Sequence, residues 1–583
     1  MRPTLSELGE YDGTALMEFK TRKEIIYRIN RDTVCTYEMD DTPPFELNEE
    51  ALDIALGIGL LYGCTMIDEL HISRKQYLDG SIPTGFQRTT IVGVDGKIPY
   101  KDREIRIIQL GLEEDACREV SDVGHLRTYL TDRLGMPLLE TVTAPDMKTP
   151  QEVADVGQIL RRLVRSTGNV RTGIGAARQD VNVSVTGGTR VEIKGVPRIP
   201  EIPLLTYNEA RRQWSLLRLR EELARKGITP ATFGASFEEI TRILRRTLYQ
   251  PLQTAISGGK VAFGVRLNGF RGLLRWQTQA NTYFSQEISD RARVVACLTA
   301  LPNIIHSDSP SETLTSAEWQ AAKKALNVKA EDTVVVVWGA PDDAKLGAQE
   351  IILRARETTV GIPSETRQAL DDGTNGFERI LPGPDRMYPD TDLPPKRVTG
   401  ERMDKIQKTL PPNILVRERW YRGIGVPEDI VQFLSVSRFA TLFEKCVKEY
   451  ALDPVLAAIV LIQYPKRLKK KGFPAHLLNE NIMEDVLNAF KEGRVCKEGI
   501  LKLMEQLLDS RKTVEEVLPP LGSLDSFRKN IIQVLDEIKT IKFSDSQSRR
   551  RMAMGLLMQH WRGRIDGALA SREIGPYLDE AER

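Results

Sequence analysis

"RQDVNVSVTGGTRVEIKGV", residues 178–196, holds two alternating runs on either side of a glycine pair. Val181, Val183 and Val185 alternate with Asp180, Asn182 and Ser184; on the return, Val191 and Ile193 alternate with Glu192 and Lys194. A period of two is that of a strand with one covered face, so the segment predicts a β-hairpin. A two-residue Gly-Gly turn would set Val183 opposite Glu192 and mix the faces. A three-residue loop, Gly187-Gly188-Thr189, sets Val185 opposite Val191 and Val183 opposite Ile193, and the pattern selects it. The other face is then a polar strip of Asp180, Asn182, Ser184, Glu192 and Lys194, and that strip needs a purpose.

The hairpin sits in a chain of 583 residues, too long for one core, and length predicts roughly three to four domains. Positive and negative side chains nearly cancel, at a formal net charge of +1, so any nucleic-acid contact must come from local patches. The longest apolar run, "PVLAAIVLI" (454–462), is half of what a membrane span needs, and no signal segment opens the chain, which predicts a cytoplasmic protein. Cys35, Cys64, Cys117, Cys297, Cys446 and Cys496 are scattered with no CxxC pair, against a zinc knuckle or a disulfide framework. Metal chemistry here would use carboxylates and suit Mg²⁺.

The pattern predicts a multidomain α+β chain. Residues 1–255 mix helices with alternating strands. Residues 256–385, with the buried-strand run "TVVVVWGA" (333–340), read as an α/β insertion. A proline-rich passage, "LPGPDRMYPDTDLPP" (381–395), opens a returning segment, 386–425. Residues 426–483 are helical, and 484–583 form a tail whose last pattern places Met554, Leu557, Met558 and Trp561 on one helix face.

Two carboxylates stand on apolar faces. In "IRIIQLGLEEDAC" (105–117), alternation puts Glu114 with Ile108, Leu110 and Leu112; in "MPLLETVT" (136–143), Glu140 shares a face with Leu138 and Val142. A carboxylate there is costly unless paired or metal-bound. The two together suggest an Mg²⁺ or phosphate–metal site; the alternative is a strand end for Glu114 and an arginine partner for Glu140. A third segment, "HISRKQYLDGSIPTGFQRT" (71–89), sets Arg74, Lys75, Tyr77 and Asp79 beside a Gly/Pro loop, a candidate phosphate grip and otherwise a solvated loop.

"RKQYLDGSIPTGFQRT", "LGLEEDAC", "DRLGMPLLETVTAPDM", "RQDVNVSV", "VEIKGV" and "YPDTDLPP" occur in the order and approximate spacing of one family. The chain resembles the B/E family of tRNA-dependent amidotransferases over its whole length. Within that family it is similar to the archaeal-type E subunits: "EIKGV" stands where B subunits usually carry "EIKNL", "RPTLSELGE" near the start is E-like, and the insertion resembles that of bacterial aspartyl-tRNA synthetases. The resemblance implies a mixed-sheet cradle domain interrupted by that insertion, then helical and tRNA-binding tail domains. It implies conversion of Glu-tRNA(Gln) to Gln-tRNA(Gln): ATP phosphorylates the glutamyl carboxylate, and ammonia displaces the phosphate. It implies ATP and Mg²⁺ as cofactors, with an asparaginase-like D subunit supplying ammonia in an assembly of two D and two E chains.

Carried over by motif, Glu114 and Glu140 are expected as Mg²⁺ ligands. Lys75 and Tyr77 are expected at the nucleotide or aminoacyl end, Asp180 and Asn182 at the ammonia or acceptor carboxylate, and Arg178 and Lys194 as nearby cations. The family's usual opening strand, roughly G-L-E-I-H, has no counterpart after "MRPTLSELGE", so the chain as given is expected to be catalytically impaired.

For tRNA, "YPKRLKKKGFP" (464–474) concentrates cations including Lys469, and "SRRRMAMGLLMQHWRGRIDG" (548–567) carries Arg550, Arg562 and Arg564. Such residues suit phosphate contacts; a solvated surface is the alternative. No amidase signature stands out, which puts the nitrogen source on a partner. Neither pair of synthetase signatures is present in context. The runner-up reading is a non-catalytic tRNA-binding scaffold with an incomplete site.

Overall fold

The computed structural model describes residues 13–39, 45–77, 79–173, 175–309, 313–381, 386–510, 512–518, 522–543 and 545–582. "RPTLSELGE" and part of the proline-rich passage lie outside them. The fold is α+β in two compact units, residues 1–161 with 169–410, and residues 162–168 with 411–583.

In the first unit an antiparallel sheet runs in the order Met387–Pro389, Ser73–Gln76, Phe86–Tyr100, Arg103–Glu114, Pro137–Thr143. One face is covered by the helices Glu49–Leu61 and Gly400–Thr409, and Leu52, Leu56, Val92, Leu112 and Ile406 make the core between them. The opposite face carries Lys75, Glu113 and Glu140. In the strand Arg103–Glu114 a β-bulge between Ile107 and Gln109 resets the alternation. Ile105 and Ile107 are buried before it and Leu110 and Leu112 after it. Ile108 is the residue turned out, 49% exposed, which corrects its expected place beside Leu110 and Leu112.

The hairpin belongs to a second sheet, ordered Gln179–Val183, Val191–Val196, Glu365–Ala369, Asn375–Ile380. Its faces alternate as the sequence predicts: Val181, Val183, Val191 and Ile193 are buried, and Val181, Val183 and Ile193 pack against Ile199, Ile202 and Leu205. Its register does not. Val183 lies opposite Val191, Val181 opposite Ile193 and Asn182 opposite Glu192, two residues from the expected pairing. The loop is longer because Val185 leaves the ladder and gives its N–H to the Gln213 side chain at 3.1 Å. A two-residue shift keeps each side chain on its face, so the hydrophobic pattern alone could not distinguish the two registers.

The insertion has its own sheet, ordered Ala235–Glu239, Val261–Leu267, Thr333–Gly339, Ile304–His306. The central strand Thr333–Gly339 is buried throughout and packs cores on both sides, one with Leu216, Phe270 and Phe284, the other with Ile240, Leu252 and Leu326. Strand Ala235–Glu239, placed by the sequence reading in the first segment, pairs into this sheet. Strands Glu365–Ala369 and Asn375–Ile380, read as insertion, pair into the hairpin's sheet instead.

In the second unit, helices gather around Phe443, Leu461, Met483, Leu487 and Met504. A separate cluster, Phe527, Ile531, Leu557 and Ile574, centres the tail. Among the described residues no helix is long and apolar enough to cross a membrane.

Candidate active site

Register determines which side chains meet on the open face of the first sheet. Lys75 pairs with Gln87, Thr89 with Glu113, and Gly111 with Glu140; directly opposed residues share a face. Lys75, Glu113 and Glu140 therefore converge. Lys75 Nζ lies 3.3 Å from Glu113 Oε1, which also accepts from Thr89 Oγ1 at 3.1 Å. Burial pushes the Glu140 carboxyl above the usual carboxylate range, Glu113 pushes it further, and Lys75 opposes. Burial works against the Lys75 ammonium, but Tyr77, Glu113 and Glu140 outweigh it and raise its pKa.

Glu114 is not in this group. It points to the helix-covered face, where Arg88 pairs with Oε1 and Tyr37 Oη donates to Oε2 at 3.2 Å. The expected combination of Glu114 with Glu140 is thus corrected, because the two stand on opposite faces of one sheet. An arginine meets the cost of the carboxylate on the apolar face, and the residue beside Glu140 is Glu113. The signal was present: if Leu110 and Leu112 fix the covered face, the first glutamate of "EED" must be on the other.

The hairpin supplies a second set of charges. Asp180 and Lys194 both act electrostatically on Glu140. Lys194 Nζ lies 3.2 Å from Glu192 Oε1 and 3.8 Å from Asp180 Oδ2. Gly195 N–H donates to Asp180 Oδ1 at 2.8 Å. A register shift here sets Lys194 and Gly195 against the single residue Asp180, and Gly195 has φ 63, a conformation open to glycine at little cost. Asn182 is exposed on the same face, opposite Glu192.

Two residues missed by sequence reasoning adjoin the strip. Strand Asn375–Ile380 has a bulge between its pairings Arg379–Thr366 and Phe377–Arg367, and the extra residue is Glu378. Its Oε2 is buried without a hydrogen-bond partner. Burial raises its pKa, while Arg379 and Lys194 offset part of that. Arg379 itself pairs with buried Asp79 at 2.9 Å. Nothing in the local pattern of "NGFERI" announces a bulge.

At the edge of the first sheet the Arg386 guanidinium lies over the Tyr77 ring, 5.0 Å from its centre. Tyr77 N–H donates to Gly85 O at 2.8 Å, closing the Gly/Pro loop. Arg178 is exposed just before the hairpin strand. Among the described residues no three His, Cys, Asp or Glu side chains gather as a metal cage. Two carboxylates, Glu113 and Glu140, fit an ion that keeps most of its waters and takes further oxygens from a phosphate, which is the habit of Mg²⁺.

In the second unit Arg562 and Arg564 are exposed beyond the helix Ser546–Trp561, and Lys469 is exposed on Tyr464–Lys470. Arg550 donates to Ser571 O at 2.9 Å. Trp561 packs edge-on against Phe527, with its Nε1–H on Asn530 Oδ1 at 2.9 Å.

Residues 20–404 match the family described as the GatB/GatE catalytic domain, and residues 441–578 match the GatB domain. The E subunit of the glutamyl-tRNA(Gln) amidotransferase of Saccharolobus solfataricus is 35% identical, over 98% of this chain and 90% of its own length. Its counterpart from Pyrococcus furiosus is 35% identical over 96% and 88%, and that of Sulfolobus acidocaldarius 34% over 97% and 90%.

Proposed function

The chain belongs to the GatB/GatE amidotransferase family, and on that premise we propose that it converts Glu-tRNA(Gln) to Gln-tRNA(Gln) in two steps at the face bearing Lys75, Glu113 and Glu140. ATP phosphorylates the side-chain carboxylate of the tRNA-linked glutamate, and ammonia then displaces the phosphate to leave the amide. The observation that carries this reading is the convergence of two carboxylates and a lysine on one face, with Asp180 and Lys194 of the hairpin close enough to act on Glu140.

Glu113 and Glu140 are the residues that would hold Mg²⁺, which when bound neutralises phosphate charge. Lys75, kept protonated by its acidic neighbours, supplies a point charge to the transferring phosphoryl group. Arg386 and Tyr77 flank it at the sheet edge. Asp180, Asn182 and Lys194 orient the acceptor carboxylate and the entering ammonia, so that phosphorylation and amidation share one aligned geometry. An asparaginase-like D chain is the ammonia source, in a cytoplasmic assembly of two D and two E chains.

The direct test is ADP release with Mg²⁺ and ammonium, with and without Glu-tRNA(Gln). ADP release dependent on Glu-tRNA, with Gln-tRNA formed, supports the enzyme. Bound tRNA without stimulation supports a scaffold instead.

The tail gives a second test. Alanine at both Arg562 and Arg564 is expected to weaken Glu-tRNA(Gln) binding and reduce its logarithmic salt slope by about 2, one for each lost phosphate contact. An identical slope in both proteins would remove these arginines from the tRNA surface.

A further inference from the structure

Gln213 is wholly buried on the long helix Ile202–Arg225, beneath the hairpin. An apolar residue could fill a core position; a primary amide there is costly unless its hydrogen bonds are made. They are made to the hairpin backbone. Its Nε2 donates to Val183 O at 2.9 Å, and its Oε1 accepts from Val185 N–H at 3.1 Å. One side chain thus does for this strand what a further strand's peptide group would do. Ser184, on the polar strip, lies between the two anchored residues.

The fit is close. A Cβ on Gly188 would stand 2.7 Å from Gln213 Oε1, so the second glycine of the pair is needed for space, whereas Gly187, at φ 78, is needed for conformation. Gln213 is fixed in turn from below. Its Nε2 also donates to Glu209 Oε1 at 2.9 Å, which accepts from Arg212 Nη1 at 3.0 Å. Arg212 holds both oxygens of Glu287, a residue of the insertion helix Phe284–Val295, at 2.7 and 3.0 Å. A continuous line of buried hydrogen bonds therefore runs from the insertion to the hairpin backbone.

We propose that Gln213 is a positioning residue for the amidation step: it fixes the strand carrying Asp180, Asn182 and Ser184 and refers its position to the insertion. The assignment rests on the reading of that strip as one wall of the transamidation site. Lys75, Glu113 and Glu140 stand on another sheet and do not depend on this amide.

The test compares the full-length chain with Gln213→Met, which keeps volume and removes both hydrogen bonds to the hairpin backbone together with the one to Glu209, and with Gly188→Ala, which displaces the amide without removing it. Two readouts are taken: steady-state formation of Gln-tRNA from Glu-tRNA with ATP and ammonium, and amide hydrogen exchange by mass spectrometry. In both variants kcat is expected to fall about 10- to 100-fold, the cost of a displacement near 1 Å, with KM for ATP within about twofold. Exchange should accelerate at 183–190 and stay unchanged in the insertion strands. Unchanged exchange at 183–190 with unchanged kcat would overturn the proposal. So would uniform acceleration across the chain with kcat falling only as the folded fraction falls. If wild-type protein forms no Gln-tRNA, the functional reading fails, and local exchange alone decides whether Gln213 fixes the hairpin.

Discussion

Glutamine in place of Glu113 is expected to lower Glu-tRNA-dependent ADP release by at least about 10²-fold, while glutamine in place of its neighbour Glu114 leaves the rate within about threefold of wild type. The two residues are adjacent in sequence and chemically alike, but the strand sends them to opposite faces. Glu113→Gln removes one of two carboxylates that can hold the phosphate-bound cation, and takes the counter-charge from Lys75, 3.3 Å away. Its size and the hydrogen bond from Thr89 can persist, so the folded state should be little changed. Glu114→Gln instead weakens the Arg88 pair on the covered face and leaves the guanidinium partly uncompensated, a loss of about 1–3 kcal/mol. The measurements are ADP release and urea unfolding on both variants. The expected pattern is a crossed one: activity lost without stability at 113, stability lost without activity at 114. The reverse pattern would return the metal site to Glu114.

That contrast shows where sequence is a good guide and where it is not. The alternation of the hairpin was legible because burial of Val181, Val183, Val191 and Ile193 requires only that side chains alternate. Its register was not, because the residue that fixes it, Gln213, lies beyond the hairpin and on a helix. Ile108 was misplaced for a related reason: one bulge reverses parity, and no residue at that position needed an unusual backbone. The bulge at Gly195 was not read from the sequence. Glycine is the residue type that most readily accepts the positive φ found there, but a glycine in a strand pattern does not by itself specify a bulge. "TVVVVWGA" was legible as a strand because it is buried on both faces. "ASFEE" was not, since its exposed, acidic side chains suit an edge strand as well as a loop. The least legible feature is a group of charged residues at ordinary helix and strand positions, Glu209, Arg212, Glu287, Arg354, Glu365 and Arg367, all at most 3% exposed. Each alone reads as a surface charge, and only the fold reveals them as partners.

That cluster sets the second large effect. Replacing Glu287 with alanine is expected to destabilise the protein by about 3–5 kcal/mol, because it leaves Arg212, Arg354 and Arg367 buried without the carboxylate they share. Arg354 Nη2 and Arg367 Nη2 each lie 3.3 Å from Glu287, in addition to the two bonds from Arg212. The pair-breaking cost is large because the remaining charges cannot be rehydrated where they stand. Glu287→Gln, which keeps the shape and some hydrogen bonds, guards against complete unfolding and should show a smaller loss in urea. The pH dependence follows from the same contacts. Burial alone would raise the Glu287 carboxyl, but Arg212 and Arg367 hold it far below the usual carboxylate range, and Glu365 is lowered by the same arginines against its own burial. Groups depressed on folding stabilise the native state above their unfolded pKa, about 4.3, and lose that contribution as pH falls through the folded value. Glu209 acts in the opposite sense, since burial raises it despite Arg212 and Arg367, and its contribution is lost as pH rises through its folded value. The lowered Glu287 and Glu365 therefore predict acid destabilisation from these contacts, beginning near the unfolded carboxylate pKa, with Glu209 opposing. In Glu287→Gln the decline in unfolding free energy below about pH 4 should be shallower than in wild type. An equally steep acid limb in the two proteins would assign that limb to other carboxylates and show that Glu287 does not anchor the three arginines.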